Sequence, residues 1–202
     1  MKPRCLTVIH IVALNHQNSS CDYNYRDMNL RRAEVLDAEK CASVHVAAWQ
    51  AAYRGLVPDD FLADFTVEKR AAAFRTALEN HTEETYLLEQ GDEPVAILTI
   101  GPNRDEDLDP ARDGELWGIY ISPGWWRRRI GWQLVDEAEH MLGSRGYERV
   151  ILWVLEGNYA AQRFYEAMGY HPDGASRILD LGVPLKTVRY VKTMHRVDPE
   201  PE

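Results

Sequence analysis

The sequence predicts one α/β domain built on a mixed sheet, parallel at its centre and antiparallel elsewhere. Residues 115–170 carry the main signal, because a strand, a basic turn, a helix, an apolar strand and a second helix follow one another there. The run Val150–Leu155 is apolar throughout, which is typical of a strand covered on both faces. A strand–helix–strand unit of this kind predicts a parallel pair with a right-handed crossover.

The first half of the domain is expected to contain one strand, three helices and a hairpin. A strand is expected at 28–33, and the next helix begins after Asp37 and ends before Gly55, with apolar side chains at helical spacing between them. Gly91-Asp92 is a hairpin turn signal. The remaining expected elements are helices at 59–64 and 67–79 and strands at 85–89 and 94–100.

In the second half an acidic segment at 103–113 is expected to be an exposed loop before the strand Glu115–Ile121. A helix then follows with an apolar face that includes Leu134, and Gly146 ends it. After the strand 150–155, a helix opens on Asn158 and closes at Gly169. The last expected strands start at 170–172 and cover 188–195.

Composition limits the classes of partner. At 202 residues, with 45% apolar and 27% charged residues, the chain is suited to one domain with a substantial core. The net charge of −9 disfavours non-specific binding to nucleic acid or anionic membranes. No stretch reaches the ~18–20 apolar residues of a membrane span. The three cysteines and seven histidines show no metal-ligand spacing, so we expect no metal site and a reducing, cytoplasmic location.

The two ends of the chain are expected to lie outside the folded domain. An apolar run at 6–14 resembles a signal peptide, but His10 interrupts it and no small-x-small cleavage site follows. We expect residues 1–27 to be a poorly ordered extension, 28–196 to be the domain, and 197–202 to be a flexible tail.

The turn after the strand 115–121 is the expected anion site. Ser122-Pro123 end the strand and a helix begins within a few residues, which leaves backbone N–H groups without partners. Three consecutive arginines, Arg127–Arg129, lie on this turn. A solvated basic patch is the alternative on local sequence alone. With the flanking pattern, the turn predicts a cofactor that carries a diphosphate.

Residues Asn158–Tyr170 form the pattern N-x-x-A-x-x-F-Y-E-x-x-G-Y. This pattern resembles the acetyl-CoA-binding core of the GNAT N-acetyltransferase superfamily. The cofactor turn departs from the family pattern, because Trp126 stands at its Gln/Arg position and Arg129 at its first glycine, while Gly131 matches the second small residue. The resemblance covers roughly residues 28–196.

The resemblance implies a GNAT-like mixed sheet flanked by helices, with splayed central parallel strands, and acetyl-CoA as co-substrate without a metal. It implies acetyl transfer to a primary amine of a small molecule by direct attack on the thioester. A catalytically weak acyl-CoA-binding or sensing module and a protein N-acetyltransferase are the alternatives. Trp153 stands where the ribosomal-protein alanine acetyltransferase branch has a glutamate, which argues against that specificity. A homodimer is left open.

The resemblance also implies a general acid and a base. Tyr165 is the candidate acid for the departing thiolate, and its alternative is a packing role beside Phe164. Glu115 is the candidate base, at the position that the histone-acetylating branch uses. Six residues before Ile121, it is expected to share a strand face with Trp117, Ile119 and Ile121. A solvent-facing glutamate, with water as the base, is the alternative.

The remaining candidates contact cofactor or acceptor. Trp49 and Tyr53 share one helix face and form either the acceptor floor or part of the core. Asn158 holds the cofactor arm, caps its helix, or does both. The full set of expected cofactor contacts is Ile119, Tyr120, Ile121, Arg127, Arg128, Arg129, Ile130, Gly131, Trp132 and Asn158.

Overall fold

The computed structural model describes residues 27–194, which form a seven-stranded sheet with helices on both faces. The strands are β1 (Met28–Arg32), β2 (Glu84–Gln90), β3 (Glu93–Pro102), β4 (Asp113–Ile121), β5 (Arg149–Leu155), β6 (His171–Asp180) and β7 (Pro184–Thr193). The helices are α1 (Ala38–Ala52), α2 (Asp59–Asp64), α3 (Val67–Glu79), α4 (Ile130–Ser144) and α5 (Tyr159–Ala167). None of these helices is long and apolar enough to cross a membrane.

The expected extension at 1–27 and tail at 197–202 lie outside the described residues, apart from Asp27. The proposed domain limits therefore stay predictions.

The order of strands in the sheet is β1-β2-β3-β4-β5-β7-β6. Only β4 and β5 pair in parallel, and the other pairs among the described strands are antiparallel. The parallel ladder covers residues 113–115 of β4 and 149–151 of β5. Beyond it, β4 continues to Ile121 and β5 to Leu155 without pairing to each other. The mixed sheet with splayed central strands is thereby confirmed.

The two faces of the sheet carry separate cores. Helices α4 and α5 cover one face, where Leu134 and Phe164 pack on apolar side chains of the central strands. Helices α1, α2 and α3 cover the other face, where Trp49 packs with Leu87 and Tyr120. Each central strand is therefore buried on both sides, which explains why β5 is apolar throughout.

Strand β4 contains a bulge at Trp117. Thr99 of β3 pairs with Gly118 and the next residue, Ile100, pairs with Leu116, so Trp117 has no partner in β3. One extra residue in a strand shifts the alternation of side chains beyond it.

The bulge corrects the expected orientation of Glu115. Leu116, not Trp117, shares the α4–α5 core with Ile119 and Ile121. Because neighbouring side chains on a strand point to opposite faces, Glu115 faces the side of α1–α3. The expectation that Glu115 shares a face with Ile119 and Ile121 was wrong, since counting by twos does not hold across a bulge.

The C-terminal hairpin is longer than expected. Strands β6 and β7 have ten residues each and are joined at 181–183, where Gly182 has a φ of 82°. The sequence indicated only the start of β6 and placed the last strand at 188–195, whereas β7 covers 184–193. Strand β6 lies at the sheet edge with exposed and half-exposed side chains, so it lacks the apolar alternation that identifies a strand.

One stability prediction follows from Cys41, which is fully buried on α1. Burial raises the pKa of its thiol to about 12. An unfolded cysteine ionises near pH ~8.5, whereas the buried thiol stays protonated to higher pH. The stability that Cys41 contributes is therefore fully present below pH ~8.5 and is lost as pH rises toward the folded pKa. The free energy of unfolding should therefore fall by up to about 1.4 kcal/mol per pH unit in this window from Cys41 alone.

Urea unfolding between pH 8 and pH 10 measures this slope, because unfolded tyrosines ionise only near the top of that range. Cys41→Ala should flatten the slope, although it removes core volume at every pH. An unchanged slope in Cys41→Ala would assign the alkaline loss to other groups.

Candidate active site

The gap between β4 and β5 opens beyond Glu115 on β4. Ile119–Ile121 lie in the stretch of β4 that pairs with β3 but not with β5. Backbone groups on that side have no partner in β5 and can bond a ligand laid along the strand, except the Ile121 carbonyl oxygen, which already accepts from the Trp126 indole. The expected contacts of these three residues with a pantetheine arm stay predictions.

The turn before α4 has an unusual backbone. Arg127 and Arg129 have φ values of 62° and 61°, in the left-handed region that glycine prefers. Arg129 is also the N-cap residue of α4 and makes no capping hydrogen bond with its side chain. The left-handed backbone at Arg129 explains why the family pattern has glycine at this position. An arginine in this conformation costs roughly 1 kcal/mol or more.

The first turn of α4 can receive an anion. It contains no acidic residue, and the three preceding arginines, Arg127–Arg129, are exposed. The Arg128 guanidinium lies 4.6 Å from the ring centre of Trp125, and the Trp125 indole donates to Glu93 at 3.0 Å. Unpaired N–H groups and the helix dipole favour a phosphate at such a terminus.

Trp126 contributes differently from the Gln or Arg of the family pattern. Its indole N–H donates to the carbonyl oxygen of Ile121 at 2.7 Å, which ties the turn to the end of β4. Ile130 and Gly131 are buried, and half-buried Trp132 packs edge-on against Phe164 at 5.7 Å between ring centres. The expected contact of these three residues with a cofactor stays a prediction.

Tyr165 of α5 is fully buried, and its hydroxyl has no hydrogen-bond partner within the described chain. Its ring packs edge-on against Phe164 and Tyr170, at 5.1 and 5.7 Å between ring centres. Burial raises the pKa of Tyr165 well above its usual value, with a smaller contribution from the Tyr120 phenol. The hydroxyl therefore stays protonated across the neutral range.

Asn158 precedes α5 and caps it. Its side-chain oxygen accepts a hydrogen bond from the backbone N–H of Ala161 at 3.1 Å. The capping role is therefore confirmed. A contact with the cofactor arm stays a prediction.

Trp49 and Tyr53 lie in the core between α1 and the sheet. Both are 0% exposed, and Trp49 stacks on Phe65 at 4.6 Å between ring centres. The structure thus gives both residues a packing role. Contact with an acceptor stays a prediction.

Glu115 is 1% exposed and forms an ion pair with Arg104. Its role as a base stays a prediction. No group of His, Cys, Asp or Glu side chains within residues 27–194 could hold a metal ion.

The β3–β4 loop (residues 103–112) is held by side-chain hydrogen bonds to β5 and β7 that the sequence did not indicate. Its Asp105 accepts hydrogen bonds from the Trp153 indole at 3.0 Å and from Arg189 at 3.2 Å. Arg189, 5% exposed on β7, also binds Asp107 and Asp173. The hydrogen bond from Arg189 holds the pKa of Asp107 below its usual value.

The segment 103–113 was expected to be an exposed loop, and this holds for most of residues 106–112. Asp113 is instead fully buried as the first residue of β4. Its first residues differ, because Asn103 is buried and Arg104 and Asp105 are half-buried. The sequence contains both partners, an acidic run at 103–113 and Arg189. Nothing local to either segment shows that they meet.

Comparison with known proteins gives the family. A family model described as acetyltransferase (GNAT) family matches residues 38–170. A probable N-acetyltransferase of Mycobacterium tuberculosis is 25% identical over 151 residues, which cover 73% of this chain and 82% of that protein. Spermidine N(1)-acetyltransferase of Thermoplasma acidophilum is 23% identical over 165 residues, which cover 76% of this chain and 96% of that protein.

A solved structure agrees on the fold. The PaiA N-acetyltransferase of Thermoplasma acidophilum, crystallised with coenzyme A, matches with a TM-score of 0.66 at 17% sequence identity. The match covers 83% of this chain and 99% of that one. Because the family model spans residues 38–170, about two thirds of the sequence, this chain belongs to the acetyltransferase (GNAT) family.

Proposed function

We propose that this protein transfers the acetyl group of acetyl-CoA to a primary amine of a small molecule. The observation that carries the proposal is the Tyr165 hydroxyl, which is fully buried on α5 and has no hydrogen-bond partner among residues 27–194. An unsatisfied buried hydroxyl costs about 1–3 kcal/mol, so it is expected where a ligand completes the bonding.

The proposed binding mode uses two open features. The unpaired edge of β4 at Ile119–Ile121 would bond the pantetheine arm, and Asn158 would hold its other side. The first turn of α4, with Arg127–Arg129, would bind the diphosphate through backbone N–H groups and guanidinium groups. The proposed reaction requires no metal ion.

The proposed chemistry forms a nitrogen–carbon bond and breaks the carbon–sulfur bond of the thioester. A backbone N–H near Ile121 would stabilise the negative charge that develops on the acetyl oxygen. Tyr165 would donate its proton to the departing thiolate and then regain a proton from water, which takes up the proton that the amine releases. Its raised pKa keeps the phenol protonated at neutral pH but makes it a weaker acid, so the proton moves only as the thiolate forms. The attacking nitrogen loses one proton to a base.

The acceptor is proposed only as a class. The relative named spermidine N(1)-acetyltransferase acts, by its name, on a small amine, and a small-molecule amine is our proposal for this chain. A protein acceptor is the less favoured option. A cytoplasmic location without nucleic-acid or membrane partners belongs to the same proposal, because acetyl-CoA is a cytosolic metabolite. A homodimer stays an untested prediction.

The first test is direct binding and turnover. Calorimetric titration with acetyl-CoA should show binding that weakens as salt rises, because exposed arginines make part of the contact. Release of free thiol should then depend on the amine supplied, in a panel of small amines and short peptides.

The outcomes separate the candidate functions. Absence of binding at millimolar acetyl-CoA would contradict the proposal. Binding without thiol release for any amine would favour an acyl-CoA-sensing module, and release only with peptides would favour a protein N-acetyltransferase.

A further inference from the structure

Glu115 lies where β4 and β5 part. It is the last residue of β4 in the parallel ladder, opposite Ile151, and its side chain is nearly inaccessible. One oxygen accepts hydrogen bonds from the side-chain Nε of Arg104 at 3.0 Å and from its backbone N–H at 3.1 Å. The other oxygen accepts from the Arg104 Nη2. A single loop residue thus supplies three donors to this carboxylate.

The same arginine is held on its other side. The Arg104 guanidinium lies 3.9 Å from the ring centre of Trp117, the bulged residue of β4. The Trp117 indole in turn donates to the carbonyl of Pro102 at 3.2 Å. The beginning of the β3–β4 loop is therefore folded back onto β4.

The next residue of the loop is attached across the gap. Asp105 bonds Trp153 of β5 and Arg189 of β7. Trp153 lies two residues beyond the last β5 residue that pairs with β4. Arg104 and Asp105 thus join the loop to the two strands at the point where those strands separate, on the α1–α3 side of the sheet.

We propose that Glu115 is a positioning residue, which holds Arg104 and through it the β3–β4 loop as one wall of the acceptor site. This inference rests on the proposed acetyl transfer. A base must turn a lone pair toward the amine, but the Glu115 oxygens face the donors of Arg104, and protonation would break that ion pair. The amine proton then leaves to water.

The first experiment needs no turnover. Hydrogen exchange of the loop amides is compared in the wild type, Arg104→Gln and Glu115→Gln. Both variants should exchange about tenfold faster or more, since hydrogen bonds to a charged group are lost. Combining both changes should add little, because they remove the same contact.

The matched control is Arg112→Gln, which removes the exposed ion pair with Glu148 at the far end of the loop. It should leave exchange near Arg104 unchanged. If Glu115→Gln does not fold, Arg104→Lys tests the same contact, since it keeps the charge and loses the forked geometry. Wild-type protection in Arg104→Lys and Arg104→Gln would overturn the proposal.

The second experiment separates positioning from base catalysis. Arg104→Gln and Glu115→Gln should each raise the KM for the amine by about tenfold, with similar kcat and an unchanged pH profile. A kcat loss in Glu115→Gln with a profile shifted to higher pH would make Glu115 the base and overturn the proposal. Lower stability with an unchanged KM would reduce the pair to a purely structural contact and overturn it too.

The two experiments test the proposed function and the positioning role of Glu115 independently. If the wild type acetylates no amine, the proposed function fails, while hydrogen exchange still decides whether Glu115 holds the loop.

Discussion

Tyr165→Phe should lower kcat by about 10²–10⁴ with little change in acetyl-CoA affinity. The substitution removes one hydroxyl, and the ring keeps its edge-on contacts with Phe164 and Tyr170. The fold should not weaken, because the hydroxyl has no hydrogen-bond partner to lose in the described chain. Stopped-flow detection of the free thiol separates the chemical step from product release.

The chain supplies a matched control in Tyr170→Phe. Tyr170 is also buried and next to Tyr165, and burial likewise raises the pKa of its phenol. Its hydroxyl likewise has no hydrogen-bond partner among the described residues, so burial alone does not distinguish the two phenols. Tyr170 follows α5 and does not stand at the position of the candidate acid. Its variant should keep wild-type kcat, so an equal loss in both variants would indicate a packing effect. Normal turnover in Tyr165→Phe would make Tyr165 a core residue and water the proton donor.

The pH dependence of kcat is a second test of Tyr165 as the proton donor. Because the pKa of Tyr165 is raised above its usual value, its ionisation should cause no loss of activity below pH ~10. A basic limb that starts lower and disappears in Tyr165→Phe would contradict the burial that the structure shows.

The segment from β4 to α5 could be predicted because its signals are local. Apolar strands, helix caps and the Asn158–Tyr170 motif each lie within about a dozen residues of chain. Strand β6 gave no such signal, since an edge strand with solvated side chains does not alternate. The sequence does not indicate the bulge at Trp117 either. Both faces of β4 are buried, so the strand shows no alternation of polar and apolar residues that a bulge would shift.

The same difference between local and long-range signals applies to the residues of the candidate site. Positions tied to the backbone, such as the cap at Asn158 and the turn before α4, were recognisable from spacing. The ion pair of Arg104 with Glu115 joins segments whose local patterns do not point to each other. The burial of Trp49 and Tyr53 depends on how α1 packs on α2 and the sheet, and helical spacing alone left a core role and a substrate role equal.

The left-handed turn before α4 should trade stability against cofactor affinity. Arg129→Gly relieves the strain at a φ of 61°, while the greater freedom of glycine in the unfolded chain offsets part of the gain. The free energy of unfolding should therefore rise by up to about 1 kcal/mol. It also removes a guanidinium group beside the proposed diphosphate site. Acetyl-CoA affinity should therefore fall by about tenfold, and its dependence on salt should become weaker.

Arg129→Gln separates the two effects, because glutamine keeps the Cβ and therefore the strain but loses the charge. It should weaken acetyl-CoA binding as much as Arg129→Gly without the gain in stability. Replacing Arg127, Arg128 and Arg129 together by glutamine should weaken binding by about 10²-fold or more. If Arg129→Gly instead binds more tightly than the wild type, close approach of the backbone limits affinity and the arginine charge does not compensate for the lost glycine. Calorimetry and urea unfolding of the same three variants decide between these accounts.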